Sequence, residues 1–93
     1  MVAKKGWFMS AQHMAQSLVF KMADDELKKQ TGETKFYDVL LLASTTVGEY
    51  WRGLLTTTLE YSNKYYEIIY NNETGTTEVK VFTLLDTFII PKD

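Results

Sequence analysis

From Ala11 onward the apolar side chains recur at three- and four-residue intervals. Ala11, Met14, Ala15, Leu18, Val19 and Met22 share one stripe of a helical wheel, with Ser17, Lys21, Asp24 and Lys28 opposite. Phe20 and Leu27 widen the apolar face. Ser10 carries the hydroxyl of an N-cap, and Gly32 the backbone freedom of a helix stop. The spacing predicts a helix over 11–30. Asp24 with Lys28 and Asp25 with Lys29 place the acid one turn before the base, each pair contributing about 0.2–0.5 kcal/mol.

Residues 36–61 satisfy two periods. Phe36, Val39, Leu40, Ala43, Val47, Tyr50, Trp51, Leu54 and Leu55 fit a helix. Trp51, Gly53, Leu55, Thr57, Leu59 and Tyr61 alternate with polar neighbours, as in a strand. Gly48 and Gly53 would each weaken a helix by about 1 kcal/mol, and the β-branched run Thr56-Thr57-Thr58 suits a sheet. The balance predicts strands at 36–44 and 49–61 around a turn at Ser44-Thr45-Thr46-Val47-Gly48. Strands at 65–70 and 77–84 flank the turn sequence Asn71-Asn72-Glu73-Thr74-Gly75. Phe88-Ile89-Ile90 before Pro91 is expected to add an edge strand, and Lys4 to Met9 another. The expected fold is α+β: one domain over 1–93, with a long N-terminal helix on a curved antiparallel sheet of four to five strands.

Ninety-three residues leave room for one core. The absence of cysteine removes disulfides and thiolate metal sites, and a single histidine removes a multi-histidine site. A net charge of -2 argues against a nucleic-acid partner. No apolar run is long enough for a membrane span or a signal peptide. The expectation is a soluble cytoplasmic protein without metal or cofactor, with a secreted form as the alternative if a leader has been removed.

Chemistry-bearing residues are sparse. His13 stands in the first predicted helical turn without a companion nucleophile and reads as an ordinary surface residue. Asp24, Asp25 and Glu26 lie mid-helix, where they point in different directions and read as a solvated face. Asn72-Glu73-Thr74 matches the glycosylation triplet, which matters only for a secreted chain. No catalytic motif is present, and the chain reads as a non-enzyme. Tyr50, Trp51, Tyr61, Tyr65, Tyr66 and Tyr70 crowd into 21 residues. Alternation puts Trp51 and Tyr61 on one face and Tyr50 on the other, with Tyr65 opposing Tyr66 and Tyr70. Some rings must therefore leave the helix-covered side, either as cross-strand pairs or as an aromatic binding surface.

Over residues 6–86 a long N-terminal helix, a strand, a turn ending in Val47-Gly48 and a longer strand follow one another. This order resembles the cystatins, which inhibit papain-like cysteine proteases. Their first inhibitory hairpin carries Gln-Val-Val-Ala-Gly. Ser44-Thr45-Thr46-Val47-Gly48 stands there, with Gly48 retained and Thr45 and Thr46 keeping the β-branched shape. Lys80-Val81-Phe82 is similar to the strand leading to the family's second loop. Leu85-Asp86 stands where that loop carries Pro-Trp or Leu-Pro, and Gly6 stands for its N-terminal glycine. The resemblance implies a protein-binding module, an inhibitor of a papain-like cysteine protease, with a partner surface made of Gly6, Ser44, Thr45, Thr46, Val47, Gly48, Leu85 and Asp86, joined by Tyr50 and Trp51 from the aromatic cluster. Two alternatives stand beside it. One is a small-ligand or enzymatic domain with a pocket lined by Trp51, Tyr61 and Tyr66 and completed by a dimer. The other, disfavoured by the lack of basic residues, is a winged-helix DNA binder with helices at 36–43 and 46–59 and a wing at 64–84.

Overall fold

A computed structural model describes residues 6–32, 36–59, 63–85 and 88–92. One helix, α1 (Trp7–Thr31), precedes four strands: β1 (Val39–Val47), β2 (Tyr50–Thr57), β3 (Lys64–Asn71) and β4 (Thr76–Thr83). The strands form an antiparallel meander in the order β1-β2-β3-β4, and α1 lies across one face. The architecture is α+β, as the periodicity predicts. No described helix is long and apolar enough to cross a membrane.

The helix stripe docks as predicted. Ala11, Ala15 and Val19 pack on Trp51, Leu55, Tyr66 and Ile68, with Met14, Leu18 and Met22 half-buried around them. Small residues on the helix keep its axis close to the sheet, and large ones on the strands fill the space between. The helix starts earlier than residue 11. Ser10 is a helical residue, and the N-cap is Gly6 in the left-handed region, with no side-chain cap. Trp7 instead anchors the first turn against Tyr70, ring centroids 6.1 Å apart. Trp7, Phe8 and Met9 are thus helical rather than part of an N-terminal strand, while Lys4 and Lys5 lie outside the described residues. Gly32 ends the helix as expected, at φ 72°, its N–H donating to the Lys28 carbonyl at 2.9 Å.

The strands sit slightly off the predicted spans. β1 begins at Val39, because Tyr37 is drawn to the helix: its hydroxyl donates to the Phe20 carbonyl at 3.0 Å and its ring stacks on Phe20. A register shift between Leu41 and Ala43 puts a bulge in β1. Ser44, Thr45 and Thr46 are strand residues, and the turn shrinks to Gly48-Glu49. Residues 88–90 form no strand. The winged-helix alternative is overturned, since β1 and β2 occupy its two helices.

Alternation sorts the aromatic cluster as expected. Trp51 pairs with Tyr70 and Leu55 with Tyr66 on the helix face. Tyr50 and Tyr65 point to the open face, and Tyr61 lies outside the described residues.

Candidate functional site

In a meander successive connections alternate between the two ends of the sheet. The β1–β2 turn and the β3–β4 turn therefore share an end, and the structure ties them together. Asn72 donates its backbone N–H to the Glu49 carbonyl at 2.7 Å and its side-chain amide to the Glu49 carboxylate at 3.2 Å. The second turn is braced from within. The Asn71 side-chain oxygen accepts from the N–H groups of Glu73 and Thr74 at 2.9 and 3.3 Å, and Gly75 N–H donates to the Asn71 carbonyl at 2.8 Å. Gly48 has φ 59° and Glu49 does not share that sign, the pattern of a type II′ turn, which needs glycine at its first central position. The contact of Trp7 with Tyr70 brings the start of α1, with Gly6, to this same end.

The site residues read from the sequence divide on this geometry. Gly6, Val47, Gly48 and Tyr50 gather at the hairpin end, with Thr46 and Thr45 just behind in β1 and Ser44 further along it; the strand residues of this group are all exposed. Val47 and Tyr50 face each other across the ladder on the open face, 69 % and 53 % exposed. Trp51 is withdrawn from the set: at 2 % exposure it belongs to the core. Leu85 is 92 % exposed but stands at the opposite end, because Leu84 N–H donates to the Asn63 carbonyl in the β2–β3 connection. Asp86 lies outside the described residues. The second loop beside Gly48 is thus Asn72–Gly75, and Leu85 lies away from it.

Sequence reasoning misses Glu49 and Asn72 as the clasp between the turns. Asn72 is visible as a turn residue, yet the strand-spanning bond depends on register. Of the residues expected to line a ligand pocket, Trp51 and Tyr66 pack among core side chains, and Tyr61 lies outside the described residues. An open groove runs instead between α1 and the chain entering β1, lined by Gln16, Ser17, Phe20, Tyr37, Asp38 and Val39. Burial, with the carboxylates of Asp24 and Asp25 contributing, pushes the Tyr37 phenol above its usual range. His13 is an exposed helix residue. Asp24 pairs with Lys28 at 3.1 Å, and Glu26 turns the other way to Lys64. No group of three metal-ligating side chains converges among the described residues. Comparisons with protein-family models, curated proteins and solved structures gave no match.

Proposed function

We propose that this chain is a non-enzymatic protein-binding module that presents its hairpin end to a cleft on a partner. The partner class favoured is a papain-like cysteine protease, as the resemblance at Ser44-Gly48 implies. The observation carrying this reading is the clasp between Glu49 and Asn72. It holds the two turns as one preformed edge, with the helix start set beside them by the Trp7–Tyr70 contact, so docking costs little ordering entropy. Val47 and Tyr50 give that edge exposed apolar and aromatic surface, the kind enriched at binding hot spots.

The test is inhibition of papain at micromolar protein. Wild-type protein should inhibit, and Val47→Asp and Tyr50→Asp should each abolish inhibition while circular dichroism stays unchanged. Leu85→Ser, at the far end, should inhibit like wild type. Inhibition that survives both hairpin substitutions, or none from wild type, refutes the protease reading.

A further inference from the structure

The ladder contacts fix which backbone groups are spare. Leu84 donates to Asn63, so β4 residues of even number bond to β3, and Thr77, Val79, Val81 and Thr83 turn their N–H and C=O groups to the open edge. The other edge strand, β1, is broken by a bulge, a device that discourages pairing. β4 is regular throughout its eight residues. α1 packs over β1, β2 and β3 but not β4, leaving Val81 46 % exposed on the helix side.

We propose that β4 pairs antiparallel with β4 of a second copy about a twofold axis at Val79, giving a continuous eight-stranded sheet. Charge selects this register. With Val79 opposite Val79 of the second copy, Glu78 falls opposite its Lys80, and the symmetry makes that pair twice. The neighbouring axes the spare backbone groups allow, at Thr77 or Val81, would set Glu78 opposite Thr76 or Leu84 and Lys80 opposite Thr74 or Phe82, leaving both charges without an opposite charge across the seam. Within one chain Lys80 leans on Glu67, which also meets Arg52, while Glu78 makes no ion pair among the described residues. The second copy completes an alternating row of Arg52, Glu67, Lys80 and the other chain's Glu78 across the open face. On the helix side Val79 meets Val79, and Val81 meets Thr77, covering the strip that α1 leaves bare. Leu84 and Leu85, exposed at the end of β4, run past the second copy's β3–β4 turn.

Sedimentation of the full chain with charge-reversed variants tests this. Wild type should be dimeric at micromolar concentration. Glu78→Lys and Lys80→Glu should each weaken self-association by at least about tenfold, with an unchanged circular dichroism spectrum. Mixing the two single variants should restore a dimer, because one chain then carries lysine at both positions and the other carries glutamate at both. The doubly exchanged chain should dimerise alone. A monomeric wild type, a dimer indifferent to both single reversals, or a mixture that stays monomeric would overturn the proposal.

Discussion

Gly53 is a core position that leaves no room for a side chain. It lies mid-β2 between Ser44 and Ile68, and the Trp51 indole folds across it. A Cβ placed there would stand 2.3 Å from Trp51 Cη2, and 2.9 Å from Cζ2 and Cζ3. Ordinary contact would require a shift of about 1 Å in a ring held in a close-packed interior. Overpacking of this kind costs about 1–3 kcal/mol. Alanine also restricts the unfolded chain, which returns about 0.4–1 kcal/mol. The net expectation for Gly53→Ala is a loss of about 1–2 kcal/mol, or a fall in Tm of roughly 5–15 °C for a domain of this size.

The cause is testable through a second site. Trp51→Phe withdraws the far edge of the ring, so Gly53→Ala in that background should become neutral or slightly stabilising. Urea denaturation of the four proteins closes the cycle, with an expected coupling of about 1 kcal/mol or more. Equal costs for Gly53→Ala in both backgrounds would refute the argument, and the penalty would then belong to the strand backbone.

Two further outcomes rest on single contacts. The hydrogen bond from Lys64 holds the Glu26 carboxyl below its usual range, so its contribution to stability is present above the ordinary value of 4.5 and is lost as pH falls through the lowered folded value; Lys64→Met should return Glu26 to that ordinary value in an NMR titration and flatten the acid limb of the stability curve. Gly32→Ala forces a side chain into φ 72° with open space around it, and should cost about 1 kcal/mol by thermal melting, while Gly32→Asn should cost less.

The helix stripe and the alternation of Trp51 against Tyr50 are legible in the sequence because each is a local period repeated over a whole element. The helix start is not, since Ser10 has the chemistry of a cap while the real anchor, Trp7 on Tyr70, joins residues far apart in sequence. The β1–β2 turn reads too long because Ser44, Thr45 and Thr46 are turn-compatible polar residues; only Gly48 carries the positive φ that a two-residue loop demands. The misplacement of Leu85 has a plainer cause. Four strands in a meander return the chain to the end opposite its first turn, so the end of β4 cannot lie beside Gly48. The strand count contains that parity, and the family outline obscures it.

The same parity governs how a dimer through β4 would engage a partner. Antiparallel pairing about Val79 sends the two hairpin ends in opposite directions, so one partner molecule cannot reach both. The expected stoichiometry is two partners per dimer, without avidity. Glu78→Lys, which weakens self-association, should then bind a partner with the same Kd per chain as wild type, because neither turn contains residue 78. Titration calorimetry on both proteins measures this directly. A ratio of one partner per dimer, or tighter binding by the dimer than by the Glu78→Lys chain, would mean that the two ends act on a common surface, and the β4 register would have to be abandoned for one that aligns them.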